Sequence, residues 1–101
     1  MIYISGRITG CKNWREKFLC AETELEAVGF KKIINPLRLD NATKSYFVTD
    51  LPTYSQYMII DIMELINCDY IYMLKGWWRS KGARLEWHIA RRLGIKIIYQ
   101  K

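Results

Sequence analysis

The stretch YIYMLKGWWRSKGARLEWHIARRLGIKIIY, residues 70–99, predicts a strand, a helix and a second strand in succession. Its ends, YIYML (70–74) and KIIY (96–99), are short β-branched and aromatic runs of nearly continuous apolar character, which is typical of strands buried on both faces. Residues 82–93 have helical periodicity and precede Gly94, a residue type that commonly ends helices. We therefore expect two parallel strands joined by a helix.

The rest of the chain extends this unit in the same order. Two further strand candidates are IYIS (2–5) and KIIN (32–35), and two further helix candidates cover residues 13–28 and 53–67. Alternation of strands with helices predicts a three-layer, flavodoxin- or Rossmann-like α/β sandwich. The expected sheet has four parallel strands in the order 2-1-3-4, with helices on both faces.

Length and composition indicate a single domain over residues 1–101. The chain has 101 residues, half of them apolar, which suits one core. The polar stretch from Pro36 to Pro52 is the one long connection, and we expect it to act as a lid or a subunit contact. No apolar run approaches the roughly 20 residues of a membrane span, and no signal peptide is recognisable, so we expect a cytoplasmic protein. The three cysteines lack the spacing of a disulfide framework or a zinc site.

Two acidic residues occupy positions where apolar side chains are expected. Glu86 lies in the middle of the apolar stripe of its helix, and Asp61 lies among apolar residues of the helix before it. A carboxylate that faces a core must lose its hydration, which is costly unless it is paired or open to a ligand. An ion pair with Arg7 or a bond to a backbone N–H would explain Asp61 alone. Two inward carboxylates near one sheet edge indicate a functional site.

The expected sheet brings this pair to its ligand-binding edge. Ligands of open parallel sheets bind at the carboxyl ends of the strands where the strand order reverses, which here means the ends of the first and third strands. The first strand leads into SGRITG (5–10), a glycine-bearing turn before a helix N-terminus, where an anion is favoured. The third leads into GWWRSKG (76–82), one turn before Glu86.

Three motifs together resemble a known superfamily. They are Tyr3-Ile4-Ser5-Gly6, Asp61 eight residues before Asp69 in CDYIYML, and Ser80-x-Gly82-x-x-x-Glu86 followed by RRLGIKIIY. In these residues the chain resembles the nucleoside 2-deoxyribosyltransferase superfamily, most closely its short phage- or prophage-encoded members. The related deoxynucleoside 5′-monophosphate N-glycosidases share the same pattern, and the resemblance spans nearly the whole chain.

The resemblance implies cleavage or transfer at the N-glycosidic bond of a 2′-deoxynucleoside or its 5′-monophosphate. In that pattern Glu86 looks like the nucleophile that attacks C1′, Asp61 like the acid for the leaving base, and Tyr3 like the residue that orients the nucleophile. No metal or organic cofactor is required, and hydrolysis and transfer both stay open. The expected substrate-binding positions are Ser5, Gly6, Arg7, Tyr57, Trp77, Ser80 and Gly82.

Two other classes of protein are compatible with the sequence. One is a catalytically inactive module that sequesters a nucleotide. The other is a nucleic-acid binder, suggested by the net charge of +6 and by the tryptophans at positions 77 and 78. We disfavour it because inward carboxylates would repel phosphates, and we expect a small nucleoside or nucleotide as the ligand. The predicted helix 53–67 is apolar almost all round, which favours a homodimer or higher homo-oligomer.

Overall fold

The sheet of the protein has four parallel strands, seen in a computed structural model that describes residues 1–101. The strands are β1 (Ile2–Ser5), β2 (Ile33–Ile34), β3 (Tyr70–Met73) and β4 (Lys96–Tyr99). Their order is β2-β1-β3-β4, and all three neighbouring pairs are parallel. The predicted strand number, direction and order are confirmed.

Four helices connect the strands. They are α1 (Trp14–Ala27), α2 (Asp40–Phe47), α3 (Tyr54–Leu65) and α4 (Lys81–Leu93). Thr53 begins α3 with a reciprocal capping box to Gln56, and Gly94 ends α4 with a φ of 73°, a conformation that glycine adopts without strain. None of these helices has the length and apolar character needed to span a membrane.

The strands present alternate side chains to two separate cores, as the two-residue period of a β-strand requires. On one face, Ile2, Ile4, Tyr72 and Leu74 pack with residues of α1. On the other face, Tyr3, Ile71 and Met73 pack with residues of α3 and α4. The protein is therefore a three-layer α/β sandwich in which α3 and α4 share one face of the sheet.

Helix α2 is the element that the sequence analysis missed. The connection between Pro36 and Pro52 contains a short 3-10 turn (Pro36–Arg38) and then α2, which packs against α3. Its fully buried residue is Thr43, whose hydroxyl donates a hydrogen bond to the Leu39 carbonyl at 2.8 Å. The helix has only eight residues and buries no apolar side chain, so it lacks the buried apolar stripe by which helices are usually recognised.

Candidate active site

Glu86 lies on the inner face of α4, and two side chains of β1 hold its carboxylate. The residue is only 5% exposed. The Tyr3 hydroxyl donates to Glu86 Oε2 at 2.5 Å, and the Ser5 hydroxyl donates to Glu86 Oε1 at 2.7 Å. Tyr3 and Ser5 are two residues apart on a strand, so both point toward the α3 and α4 side of the sheet. Each carboxylate oxygen therefore has one fixed donor.

These contacts act against the effect of burial on the charge of Glu86. Burial raises the pKa of Glu86 to about 7, while the hydrogen bonds from Ser5 and Tyr3 lower it. Burial, followed by the nearby Glu86 charge, raises the pKa of the Tyr3 hydroxyl well above its ordinary value. Tyr3 therefore stays protonated and remains a hydrogen-bond donor to the carboxylate.

Asp61 is the second buried acid, and its surroundings differ from those of Glu86. It is 8% exposed on the inner face of α3, takes part in none of the three ion pairs, and accepts no hydrogen bond from the protein. Burial first, and the Glu86 charge second, raise the pKa of Asp61 to about 8. Because Glu86 has two hydrogen-bond donors and Asp61 has none, the pair favours the arrangement with the proton on Asp61 and the negative charge on Glu86.

The two acids line a narrow pocket of about 50 Å³ that adjoins a wider groove of about 730 Å³. Tyr3 and Glu86 line only the narrow pocket, whereas Asp61 lines both cavities. The other residues shared by the two cavities are Ile8, Thr9, Pro36, Tyr54 and Met58. The groove falls within the range of about 300–1,000 Å³ that is usual for small-molecule sites.

Gly82 sets how closely α4 approaches α3 beside the pocket. A Cβ atom at this position would lie 2.9 Å from the Tyr54 hydroxyl and 3.0 Å from the Met58 sulfur. Both of those side chains line the pocket and the groove. Any larger residue would therefore push against the side chains that form the entrance to the acid pair.

Most of the predicted site residues lie together. Gly6, Ser80 and Gly82 line the narrow pocket, and Ser5 lies behind it as a ligand of the glutamate. Ser80 also caps α4, because its hydroxyl accepts a hydrogen bond from the Ala83 N–H at 3.1 Å. Tyr57 lines the outer groove, where its hydroxyl donates to Asp40.

Apart from Ser5, two predicted substrate contacts line neither cavity. The Arg7 guanidinium lies beside Gly10, and it forms no ion pair with Asp61. Trp77 stacks on Trp87, with ring centroids 5.6 Å apart, near the C-terminal end of β4. An ion pair with Arg7 therefore does not explain why Asp61 is buried.

Several residues of the groove carry little signal in the sequence. Tyr54 lies seven residues before Asp61 on the same helix face, and this i, i+7 spacing, read from Asp61 backward, would have found it. The charged groove residues Asp40 and Lys44 carry no such signal, because they lie on α2. No group of three or more His, Cys, Asp or Glu side chains is arranged to hold a metal ion.

Comparison with known proteins identifies one family. The family model described as Domain of unknown function (DUF4406) matches residues 1–99, a range that includes all four strands, all four helices and both buried acids. No curated protein and no solved structure matches the chain. The match covers almost the full length of the sequence, and the chain therefore belongs to the DUF4406 family.

Proposed function

We propose that this protein cleaves, or transfers across, the N-glycosidic bond of a 2′-deoxynucleoside or its 5′-monophosphate. The observation that carries the proposal is the pair of buried acids at one pocket. Glu86 is held by two hydroxyl donors, and Asp61 has no partner within the protein. The motifs around Tyr3, Asp61 and Glu86 that resemble the deoxyribosyltransferase superfamily support the same chemistry.

Chemistry at an anomeric carbon uses both acids. A Glu86 oxygen forms a bond to C1′ while the bond between C1′ and the base nitrogen breaks, and the electron pair leaves with the base. The Asp61 proton neutralises the departing base, so the step yields free base, a glycosyl ester of Glu86 and an Asp61 carboxylate. Water or a second base then attacks C1′, gives its proton to Asp61 and releases Glu86 as a carboxylate.

The two hydroxyl groups on β1 have a positioning role in this scheme. Tyr3 and Ser5 fix the orientation of the Glu86 carboxylate and stabilise its ionised form. An ionised carboxylate also stabilises the positive charge that develops on the sugar in an oxocarbenium-like transition state. Asp61, whose pKa is about 8, holds the proton that the leaving base needs.

The groove beside the pocket has the size and the residues to hold the rest of a nucleoside or nucleotide. Its lining combines aromatic rings at Trp14 and Tyr54 with the cations Arg15, Arg38 and Lys44. Arg38 is paired with Glu22 at 2.7 Å and Lys44 with Asp40 at 3.0 Å, which leaves Arg15 as the freer cation for a phosphate. The proposed substrates therefore include both nucleosides and their 5′-monophosphates. The proposed reaction is either hydrolysis or transfer, and it needs no cofactor.

The test is incubation of the protein with a panel of 2′-deoxynucleosides and 5′-monophosphates, with and without an added acceptor base, followed by chromatography for free base. Wild-type protein should release base, and Glu86→Gln should not. Glu64→Gln removes a carboxylate from α3 outside the pocket and is the matched control, which should keep full activity. Nucleotide binding without base release by the wild type would identify a sequestering module instead.

The proposal includes a homodimer or higher homo-oligomer in the cytoplasm. Ile59, Met63 and Ile66 of α3 and its C-terminal turn are 46%, 42% and 51% exposed, at the i, i+4, i+7 spacing of one helix face. An apolar stripe of this kind is stabilised when a second subunit covers it. Light scattering measures the assembly directly against the chain mass of 12.1 kDa.

A further inference from the structure

The net positive charge of the protein comes from its C-terminal quarter. Residues 75–101 contain eight Lys and Arg and one acid, the buried Glu86, so their formal net charge is +7. Residues 1–74 contain eight Lys and Arg and nine acids, so their formal net charge is −1. The whole excess of +6 therefore comes from the last 27 residues.

The outer face of α4 gathers much of this charge. All eight cations of residues 75–101 are exposed, and none takes part in the three ion pairs of the protein. At 100° per residue, the polar residues of α4 form one stripe, and Glu86 lies on the opposite side of the helix. The stripe consists of Lys81, Arg84, His88, Arg91 and Arg92.

Exposed aromatic residues adjoin this stripe. The Arg84 guanidinium donates to the backbone carbonyl of Trp78 at 2.7 Å, and Trp78 is 56% exposed. The Arg91 guanidinium lies 4.9 Å from the Trp87 ring, whose N–H donates to the Tyr99 hydroxyl at 2.9 Å. Tyr99 is 52% exposed. We call the α4 stripe together with Trp78 and Tyr99 the basic aromatic surface.

We propose that the basic aromatic surface binds a single-stranded nucleic acid. Unpaired cations along a helix attract a phosphate backbone, because binding releases the counterions condensed on it. Exposed aromatic rings stack with unpaired bases, which a duplex keeps inside its own stack. The inward carboxylates do not oppose this binding, because Glu86 is buried on the other side of α4. The inference is independent of the glycosidic activity proposed above.

The length of α4 sets the scale of the contact. Its 13 residues extend over about 20 Å at about 1.5 Å per residue. This length suits a short stretch of nucleic acid, within the roughly 4–16 nucleotides that single-strand-binding folds cover. A labelled oligothymidylate of about 12 nucleotides is therefore a sufficient probe.

The experiment measures fluorescence anisotropy of this oligonucleotide with the full-length protein as the salt concentration is raised. Wild-type protein should bind, with affinity falling steeply with salt. Arg84→Gln/Arg91→Gln should lower the slope of log K against log salt by about 1.4, since each lost phosphate contact on a single strand contributes about 0.7. Trp78→Ala should weaken binding at least about 5-fold through lost base stacking.

The matched control is Lys31→Gln/Lys32→Gln. It removes the same two charges from exposed positions next to β2, at the opposite edge of the sheet from β4. This variant should keep wild-type affinity, and circular dichroism verifies that each variant is folded. Equal losses in the two double variants would overturn the proposal, because binding would then follow net charge alone. Equal or tighter binding to a DNA duplex of the same length, or to phosphatidylserine vesicles, would also overturn it.

Discussion

Asp61→Asn should stabilise the protein above neutral pH, although it removes a residue of the candidate active site. The folded protein raises the pKa of Asp61 from 3.8 to about 8, a change of about four pH units. Each unit is worth about 1.4 kcal/mol, so an ionised Asp61 costs the folded state about 6 kcal/mol. The amide that replaces it is neutral at every pH and has the size of the protonated carboxyl, so the two neutral groups should cost the folded state about the same. The expected net gain in unfolding free energy is therefore about 6 kcal/mol at high pH.

The direction of the pH dependence follows from proton binding. Between the two pKa values the folded state holds a proton on Asp61 that the unfolded state has released. Raising the pH over this range therefore favours unfolding of the wild type, and the Asp61 contribution is fully lost above about pH 8. Asp61→Asn lacks this contribution, so the stability difference between variant and wild type should be small near pH 4 and should grow as the pH rises.

The assay is urea denaturation of both proteins at a series of pH values from about 4 to about 8.5. Asp50→Asn is the control, because Asp50 is an exposed acid of the same groove and its removal should change little at any pH. A stability difference that stays constant with pH, or an Asp61→Asn protein that is less stable than wild type at high pH, would refute the reasoning from burial.

Four further outcomes are expected. Base release should follow a bell-shaped pH profile between the pKa of Glu86, about 7, and that of Asp61, about 8, in measurements of kcat/KM. Tyr3→Phe should move the lower limb of that profile upward by about one to two pH units, since a lost hydrogen bond to a charged group is worth about 1.5–3 kcal/mol. An unmoved limb would contradict the positioning role. Gly82→Ala should lower kcat/KM about 10-fold or more by pressing on the pocket entrance, and unchanged kinetics would contradict the packing argument. Light scattering should give a mass at least twice 12.1 kDa, and Met63→Glu should lower it toward the monomer; a monomeric wild type would refute the dimer.

The fold was predictable because each element carries a local signal. Strands appear as short apolar runs, and Gly94 marks the end of α4. The strand order follows from right-handed crossovers in a short chain. Helix α2 was not predictable in the same way, because its buried contact is Thr43 and the helix forms against α3 through tertiary packing.

The acid pair was predictable because it violates the pattern of its helices. Glu86 and Asp61 each interrupt an apolar face, and strand alternation brings Tyr3 and Ser5 to the same side of the sheet as Glu86. The outer groove was not predictable, since it depends on α2 and the 3-10 turn. Nor was the position of Trp77, which stacks on Trp87 because β4 and α4 bring that ring within reach.

The central claim is that Glu86 forms a covalent bond to the sugar. The direct measurement is peptide mass spectrometry of the protein after incubation with a 2′-fluoro-substituted deoxynucleoside, whose fluorine destabilises the oxocarbenium-like transition state and slows release of the ester. The account predicts a deoxyribosyl-type adduct on the peptide that contains Glu86, together with one equivalent of free base, and no adduct in Glu86→Gln. Release of base by the wild type without any adduct on Glu86, or an adduct on another residue, would contradict it.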